Sequence, residues 1–458
     1  MQNDSKVNQF RDALHGRLIE HSDPDYDQAR AIYNAMIDKR PRMIAQCANV
    51  ADVMTAVNFG CDNSLDTSIR GGGHNGPGLA MVDDGLVIDL SNMKGIRVDP
   101  EGRTVWVEPG CQWRDIDHAT HAFGLATVSG IISTTGVGGL TLGGGHGYLT
   151  RKYGLTIDNL MGADVVLADG RLVHASEDKN PDLFWALRGG GGNFGVVTNF
   201  QFRLHPVSEV VAGPLFWPIE DLEKTLCWYR EWLPGAPEDV YAFYQKAVVP
   251  VSQSIPADIR GKKVCGLMLC CTGPQEQADR AVADACKVAK PLFKHIGPMP
   301  YPALQTMFDD LYRPGLQWYW KGDFVRDLTD QAIAEHVRFA EVPTPHSTMH
   351  LYPINGAVHR VGTSETAWSY RNANWSMVIA GVDPDPGKAE QIKHWAKDYW
   401  EALHPYSAGA AYVNFMMEEG GKRVEATYGP NHHRLREIKT TYDPENFFHV
   451  NQNIEPMA

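Results

Sequence analysis

The stretch Arg70-Gly71-Gly72-Gly73-His74-Asn75-Gly76 is the first of three glycine clusters in the N-terminal half of this chain. The second runs from Gly136-Val137-Gly138-Gly139 to Gly143-Gly144-Gly145-His146-Gly147, and the third is Gly189-Gly190-Gly191-Gly192-Asn193-Phe194-Gly195. Glycine lets the backbone approach a ligand closely, and successive N–H groups without Cβ atoms can form concave anion sites. The clusters therefore predict a site for a phosphate-bearing ligand, and a pyrophosphate fits that description.

Two other interpretations of the clusters are weaker. A flexible loop explains a single glycine run as well as a ligand site does, but three runs flanked by strand-like or helical sequence argue against it. A dinucleotide-binding fingerprint needs a strand directly before the glycines and an acidic partner after them. The second cluster lacks both, and no phosphate-loop motif occurs in the sequence.

Length and composition set the broad class of the protein. A chain of 458 residues is longer than one hydrophobic core usually supports, so we expect two domains. The hydrophobic share of 43% and the charged share of 21% are those of a globular protein. With 42 Lys and Arg against 55 Asp and Glu, the net charge of -13 argues against a nucleic-acid partner.

The N-terminus and the cysteines bear on location and metal binding. The first residues are polar, and no apolar segment resembles a signal peptide or a bilayer span. We therefore expect a cytoplasmic protein without a membrane partner. The 8 cysteines are scattered and lack the paired spacing of metal ligands, so reduced thiols and no metal site are expected.

Apolar spacing and turn residues divide the chain into segments. The pattern predicts helices over residues 26–37 and 49–59, and strands over residues 67–69, 86–90, 104–107, 163–167 and 197–204. After Pro206 the glycine clusters stop and aromatic residues become frequent. Helices over residues 219–232 and 274–288 alternate there with strands over residues 263–271 and 349–353. We expect a first domain over residues 1–208, a second over 209–425, and an ordered C-terminal return over 426–458.

Several motifs resemble those of a known family. The three clusters and Arg151-Lys152-Tyr153-Gly154-Leu155 are similar to the FAD-linked oxidases of the vanillyl-alcohol oxidase type with a PCMH-type FAD domain. The resemblance returns in Tyr412-Val413-Asn414-Phe415 and in the closing Tyr442-Asp443-Pro444-Glu445-Asn446-Phe447-Phe448. As a whole the chain resembles the berberine-bridge-enzyme-like branch of these oxidases. The motifs keep their order and spacing over most of the chain, while the middle is only loosely similar.

The resemblance implies an α+β fold and a bound FAD. The PCMH-type domain would consist of two α+β subdomains completed by the C-terminus, and a substrate domain with a large antiparallel β-sheet flanked by helices would cover the isoalloxazine ring. The residues implied to bind FAD are Arg70, Gly71, Gly72, Gly73, His74 and Asn75, then Thr135, Gly136, Gly138, Gly139, Gly143, Gly144, Gly145, His146 and Gly147, then Tyr153, Gly154, Asn159, Gly195, Val197, Asn414 and Asn451.

His74 is the residue that the resemblance implies is bonded to the flavin 8α-methyl carbon. A local hydrogen-bonding role in a loop is the alternative for this histidine. Many relatives attach the flavin a second time through a cysteine, and alignment on the second cluster puts Ile132 at that position. An isoleucine forms no thioether, and no cysteine occurs between Cys111 and Cys227. A singly attached FAD is therefore expected.

Hydride transfer from an alcohol or amine leaves a proton to be removed, so a base near the substrate is useful. In many relatives a tyrosine in a Y-x-N-[YF] segment stands there, which matches Tyr412, with Asn414 two residues on along an expected strand. A packing role for Tyr412 remains open. His350 and Tyr352 share one strand face and are the other candidates, unless that face is structural.

Three further positions are weighed. His146 lies in the second cluster and could contact flavin or substrate. The run Gln317-Trp318-Tyr319-Trp320-Lys321 fits core packing and a pocket wall equally well. In berberine-bridge-like relatives the residue at Val137 is expected near the oxygen-facing side of the flavin, where valine favours oxidase activity.

The resemblance implies an FAD-dependent oxidase that takes a hydride from a small organic substrate. Dioxygen would then reoxidise the flavin and be released as hydrogen peroxide. Substrates of similar proteins include sugars, alkaloids, phenolics and polyketide-like intermediates, and the sequence does not choose among them. A dehydrogenase with another electron acceptor, or a flavin-binding protein with a decayed active site, are the alternatives.

Overall fold

The computed structural model describes residues 2–253 and 255–458. Its first part, up to residue 206, consists of short strands and helices. The strands are β1 (Arg17–Glu20), β2 (Met43–Gln46), β3 (Thr67–Arg70), β4 (Leu86–Asp89), β5 (Ile96–Asp99), β6 (Thr104–Val107), β7 (Leu125–Ala126), β8 (Leu160–Val166), β9 (Leu172–Ser176), β10 (Val196–Arg203) and β11 (His205–Pro206). The helices are α1 (Gln2–Ala13), α2 (Tyr26–Ala29), α3 (Val50–Asp62), α4 (Trp113–His121), α5 (Val137–Leu142), α6 (Thr150–Tyr153) and α7 (Pro181–Leu187).

These strands form two small sheets. A four-stranded sheet has the order β1-β2-β4-β3, in which β4 runs parallel to β2 and β3. A five-stranded antiparallel sheet has the order β5-β6-β10-β8-β9. Helix α3 begins where the sequence pattern predicts, because the Asn49 side chain accepts a hydrogen bond from the Asp52 N–H at 3.1 Å and caps the first turn.

Residues beyond 206 form a larger unit. Its strands are β12 (Glu209–Pro218), β13 (Val240–Val248), β14 (Lys263–Cys271), β15 (Phe293–Lys294), β16 (Gly297–Pro300), β17 (Gln317–Val325), β18 (Thr348–Pro353) and β19 (Trp375–Asp383). Its helices are α8 (Leu222–Gly235), α9 (Gln275–Val288), α10 (Tyr301–Gln305), α11 (Asp330–Arg338) and α12 (Ala389–Leu403). Helices α13 (Gly421–Tyr428) and α14 (His432–Tyr442) belong to the C-terminal segment.

The large sheet is eight-stranded and antiparallel, with the path β15-β12-β14-β13-β18-β19-β17 and with β16 paired to β12. Helices α8, α11 and α12 cover one face of it and bury a core of aromatic and aliphatic side chains. The other face turns toward the glycine clusters. The expected α+β fold with a large antiparallel sheet is therefore confirmed.

The C-terminal segment returns to the first part of the chain. Leu435, Ile438 and Ile454 pack in the same hydrophobic core as Phe194 and Phe200. A buried ion pair between Lys439 and Asp443 fixes the return, and the Lys439 ammonium also donates to the Asn193 carbonyl oxygen at 2.8 Å. The closing motif thereby holds the third glycine cluster in place.

Two local predictions are wrong. A helix was predicted over residues 26–37, but the observed helix ends at Ala29. The backbone after it is hydrogen-bonded to distant segments, because the Tyr33 N–H donates to the Gly73 carbonyl oxygen and the Ala35 N–H to the Leu316 carbonyl oxygen. A strand was predicted at Tyr412, but the chain forms a 3₁₀ turn over Val413–Phe415. In this turn the Phe415 N–H donates a hydrogen bond to the Tyr412 carbonyl oxygen at 2.7 Å.

None of the helices in the described part of the chain has the length and apolar composition that a membrane crossing requires.

Candidate active site

A cavity of about 360 Å³ lies between the glycine clusters and the open face of the large sheet. Loops form one end of the cavity, and side chains of β17, β18 and β19 form the other. Residues on its wall include Gly71, Gly72, Gly73, His74, Asn75, Thr135, Gly136, Gly138, Gly139, Gly191, Gly192, Gly195, Val197, Asn451, Trp318, Trp320, His350, Tyr352, Val378, Ala380, Tyr412 and Asn414. Many of the predicted site residues thus meet at one place.

The glycines at the loop end of the cavity have two different kinds of surroundings. The first and second clusters cross with their backbones in contact, since a Cβ atom on Gly72 would lie 2.4 Å from the Gly136 nitrogen. A Cβ atom on Gly139 or Gly192 would meet no protein atom within 4 Å, although both residues line the cavity. These two positions leave open a cradle of bare backbone, which a phosphate-bearing ligand can approach closely.

His74 stands on the cavity wall with its ring held on two sides. The Tyr33 ring stacks on it with centroids 3.9 Å apart, and the Thr134 Oγ1 lies 3.2 Å from its Nε2. Burial lowers the pKa of the His74 imidazole to about 4, so the ring is neutral at neutral pH. A neutral imidazole retains a nitrogen lone pair, which is the form that can act as a nucleophile.

Strand alternation decides which side chains form the far wall. On β17, Trp318 and Trp320 face the cavity. On the neighbouring strand β18, His350 and Tyr352 do the same, and the His350 Nδ1 is hydrogen-bonded to the Tyr352 hydroxyl. The His350 Nε2 is buried and has no hydrogen-bond partner in the described part of the chain. Burial lowers the pKa of His350 to about 3, which keeps its ring neutral.

Tyr412 is positioned by the turn that follows it. Its hydroxyl oxygen accepts hydrogen bonds from the Gly145 N–H at 3.1 Å and from the Asn414 Nδ2 at 2.8 Å. Asn414 also donates to the Gly139 carbonyl oxygen at 3.1 Å, which ties this turn to the second cluster. The two donors favour the phenolate, but burial outweighs them and raises the pKa of the Tyr412 hydroxyl.

His146 lies in the middle of an aromatic group. Its ring centroid is 4.8 Å from that of Tyr412 and 5.2 Å from that of Tyr352. Neither ring nitrogen has a hydrogen-bond partner among the described residues, and burial lowers the pKa of His146 to about 3. It is therefore a neutral, unpaired polar group on the cavity wall.

Comparison with known proteins gives the family. Residues 41–176 match a family model described as "FAD binding domain", and residues 411–455 match one described as "Berberine and berberine like". An FAD-linked oxidoreductase of Dictyostelium discoideum is 32% identical over 455 residues, covering 98% of this chain and 97% of the relative. The chain belongs to the berberine-bridge-enzyme-like FAD-linked oxidoreductases.

Two further comparisons concern one kind of enzyme. The (R)-6-hydroxynicotine oxidase of Paenarthrobacter nicotinovorans is 29% identical, with 97% of each chain covered. The crystal structure of 6-hydroxy-D-nicotine oxidase from Arthrobacter nicotinovorans superimposes with a TM-score of 0.87 at 27% identity, covering 97% of this chain and 98% of that one. The protein is thus an FAD-linked oxidoreductase with the fold of this family.

The cavity suits FAD. Gly139 and Gly192 leave room for a ligand against the backbone, where the pyrophosphate can accept hydrogen bonds from N–H groups. Tyr428 and Asn451 line the cavity, and the Tyr428 hydroxyl and the Asn451 Oδ1 have no hydrogen-bond partners within the described residues. Ile132 also lines it.

Val137, which was expected near the oxygen-facing side of the flavin, does not line the cavity. As the first residue of α5 it turns its side chain inward, into the core that it shares with Leu155 and Phe200. Its neighbours Gly136 and Gly138, together with Thr135, form that part of the wall instead. Val137 therefore lies beside the cavity wall, and its role as an oxygen gate stays a prediction.

Other predicted cofactor residues also lie outside the cavity wall, where they support the loops that form it. Arg70 pairs with buried Asp89 at the end of β3, with its Nε 3.0 Å from the Asp89 Oδ1. Three glycines of the second cluster are in close contact with other parts of the protein. An added Cβ on Gly143 would lie 2.5 Å from the Asn414 amide, and one on Gly144 would lie 2.3 Å from the Trp368 ring. A Cβ on Gly147 would lie 2.0 Å from the Ser129 carbonyl oxygen. Gly145 contacts Tyr412 through its N–H.

Tyr153, Gly154 and Asn159 form a separate structural group. The Tyr153 ring stacks on His205 with centroids 3.8 Å apart, and the Asn159 Nδ2 donates to the Tyr153 carbonyl oxygen at 3.0 Å. Gly154 has a φ of 83°, in the region that favours glycine. These contacts fix the connection between α6 and β8.

Sequence reasoning missed Tyr33 and Thr134, which hold His74. Tyr33 was expected on a helix. Its observed position against His74 depends on two hydrogen bonds, from its N–H to the Gly73 carbonyl oxygen and from its hydroxyl to the Tyr312 carbonyl oxygen. Thr134 lies only two residues from Ile132, so proximity to the expected second attachment position was the signal that could have identified it.

Proposed function

We propose that this protein oxidises a small organic alcohol or amine with FAD attached once, to His74. When bound, FAD supplies a two-electron acceptor for hydride, and the electrons pass on to dioxygen with release of hydrogen peroxide. The observation on which the proposal depends is that His74 and Ile132 both line the cavity. The sequence resemblance aligns Ile132, which forms no thioether, with the second attachment residue of doubly attached relatives.

The surroundings of His74 support attachment there. Tyr33 restrains its ring plane through stacking, and Thr134 restrains its Nε2 through a hydrogen bond. The low pKa keeps the imidazole neutral across the physiological pH range, so a lone pair is available for forming the bond. Gly139 and Gly192 would let backbone N–H groups bind the pyrophosphate of FAD when it is present.

We assign Tyr412 the role of accepting the substrate proton. The N–H groups of Gly145 and Asn414 stabilise negative charge on its oxygen, which is what a tyrosinate base requires. Burial raises the pKa of the Tyr412 hydroxyl, so its own proton must first pass to an acceptor, a role that we give to the neutral His146 imidazole, whose ring centroid lies 4.8 Å from that of Tyr412. His350 and Tyr352, already hydrogen-bonded to each other, are the next positions if Tyr412 only packs.

The name of the (R)-6-hydroxynicotine oxidase supports dioxygen as the electron acceptor and a small heterocyclic or aromatic substrate. The test is anaerobic mixing of the purified yellow protein with alcohols, amines and sugars, followed by admission of air. We expect bleaching of the flavin absorbance and then recovery with one peroxide per bleached flavin. Bleaching that recovers only with an artificial dye would contradict the oxidase assignment, and no bleaching with any compound class would contradict oxidation itself.

A further inference from the structure

The loop that restrains His74 has no regular structure of its own. Residues 127–135, which include Ile132 and Thr134, form neither helix nor strand. Thr134 contacts His74 through its Oγ1, which lies 3.2 Å from the imidazole Nε2. Because no helical turn or strand ladder fixes this loop, hydrogen bonds from neighbouring segments decide where Thr134 lies, and with it the His74 ring.

The polar groups of Ser133, the residue before Thr134, are all bound by other segments. Its carbonyl oxygen accepts a hydrogen bond at 2.9 Å from the Arg114 N–H in the first turn of α4. Its N–H donates to the Asp309 Oδ1 at 3.1 Å, and its hydroxyl donates to the Asp309 Oδ2 at 2.5 Å. Ser133 is completely buried, so losing these bonds would leave its polar groups without water to replace them. One carboxylate thus fixes both the main chain and the side chain directly before Thr134.

The segment that carries Asp309 also binds the other neighbour of His74. Residues 305–316, which we call the clamp segment, run from the end of α10 to the start of β17. The Tyr33 ring stacks on His74, and the Tyr33 hydroxyl donates to the Tyr312 carbonyl oxygen of the clamp segment at 2.5 Å. The stacking partner and the hydrogen-bonding partner of His74 are therefore both held by the clamp segment.

A second side chain of the clamp segment holds an earlier part of the loop. Gln305 is fully buried, and its Nε2 donates to the Ser129 Oγ at 2.5 Å and to the Gly130 carbonyl oxygen at 3.0 Å. Together with Asp309 it fixes the loop on both sides of Ile132, which lines the cavity. The clamp segment, although it belongs to the larger unit, therefore sets the shape of a loop in the first part of the chain.

We propose that Asp309 is a positioning residue for the attachment of FAD to His74. It acts through Ser133 and Thr134, and the proposal rests on the proposed attachment at His74. Bond formation replaces one hydrogen of the 8α-methyl group and the imidazole N–H hydrogen by one carbon–nitrogen bond. The two electrons and two protons released pass through the flavin to dioxygen, which leaves as hydrogen peroxide. Asp309 takes no part in this transfer, but it keeps the His74 ring oriented for it, and orientation of reacting groups contributes strongly to rates.

The test separates the rate of attachment from the affinity for FAD. Full-length apoprotein, produced under riboflavin limitation, is mixed with saturating FAD, and acid-stable flavin is measured over time. Asp309→Ala should slow covalent incorporation by about 10- to 100-fold, because displacing a reacting group by about 1 Å can slow a reaction by about 100-fold. Noncovalent affinity, measured by quenching of flavin fluorescence in a His74→Ala background, should stay unchanged, since Asp309 is not on the cavity wall.

Two variants give the matched comparisons. In Asp309→Asn the amide oxygen still accepts from the Ser133 N–H, and the amide nitrogen can donate to the Ser133 hydroxyl, so both hydrogen bonds remain possible. This variant should restore most of the incorporation rate, which a role based on charge would not allow. Asp310→Ala removes the next carboxylate along the chain, which is exposed and makes no hydrogen bond to residues 127–135 in the part of the chain described. It should incorporate FAD at the wild-type rate.

The outcomes distinguish this proposal from the attachment on which it rests. If Asp309→Ala incorporates saturating FAD at the wild-type rate, or if Asp309→Asn is as slow as Asp309→Ala, attachment at His74 stands and positioning by Asp309 is overturned. If Asp309→Ala does not fold, Ser133→Ala removes only the hydroxyl bond and should still slow incorporation, and an unchanged rate would overturn the proposal. If the wild-type protein forms no acid-stable flavin, attachment itself fails and the role of Asp309 fails with it.

Discussion

Replacement of Gly139 by alanine should separate folding from cofactor binding. Gly139 lies inside α5 and on the cavity wall, and an added Cβ would meet no protein atom within 4 Å. The methyl group therefore has no steric cost in the protein itself. Because alanine is favoured over glycine in helices by about 1 kcal/mol, the apoprotein should be equally stable or slightly more stable.

The same methyl group takes space that the proposed site gives to FAD. Adding a methyl group to a well-packed contact costs about 1–3 kcal/mol, which corresponds to FAD binding weakened by about 5- to 150-fold. The assay uses a His74→Ala background, in which FAD binds without a covalent bond, and follows quenching of flavin fluorescence during titration. Urea unfolding of each apoprotein reports the free energy of unfolding.

Gly235→Ala is the matched control. Gly235 is the last residue of α8, and its added Cβ also meets no protein atom within 4 Å, but it is not on the cavity wall. This variant should leave FAD affinity unchanged. FAD affinity of Gly139→Ala equal to that of its parent would refute the placement of the cofactor along α5, and a loss of apoprotein stability would refute the steric reasoning.

Three further predictions concern side chains around the cavity. Tyr412→Phe should retain bound flavin but slow anaerobic flavin reduction by roughly 10²–10⁴-fold, as expected for loss of a general base. If the variant is reduced at a rate within a few-fold of wild type, Tyr412 is a packing residue. Thr134→Val should slow covalent incorporation of FAD into apoprotein, measured as acid-stable flavin over time, because the contact at 3.2 Å to His74 is lost; an unchanged rate would exclude a positioning role. Burial lowers the pKa of His146 and of His350 from 6.5 to about 3, so below pH 6.5 the unfolded chain binds protons that the folded protein does not. The free energy of unfolding should therefore fall on acidification, by about 1.4 kcal/mol per pH unit for each imidazole. Urea unfolding between neutral pH and mildly acidic pH checks this, and stability that rises on acidification would contradict it.

Local patterns predicted much of the fold because each depends on few neighbours. The Asn49 cap marks the start of α3, and turn residues bound the short strands of the first part. The glycine clusters identified one end of the cavity, because a residue without a Cβ atom lets a ligand or another backbone segment come close. Which glycines face the ligand was not predictable: Gly139 borders the cavity while Gly147 only avoids the Ser129 carbonyl.

Contacts between distant segments limited the remaining predictions. The segment after Ala29 has the apolar spacing of a helix, but its N–H groups donate to the carbonyl groups of Gly73 and Leu316. Both acceptors lie far away in the sequence, so local spacing could not predict these bonds. A shift of one residue in strand register exchanges the two faces, so the cavity-facing position of Trp318 depended on pairing across the whole sheet. Tyr412 and Asn414 meet through a turn, although a strand was expected to place them together.

The attachment of FAD to His74 is the claim that a single measurement tests most directly. Purified holoenzyme is precipitated with acid, separated from the supernatant, digested, and analysed by mass spectrometry of the flavin-absorbing peptides. The account predicts a yellow pellet, no flavin in the supernatant, and one FAD on the peptide that contains His74. Free FAD in the supernatant, or flavin on a peptide without His74, would contradict it.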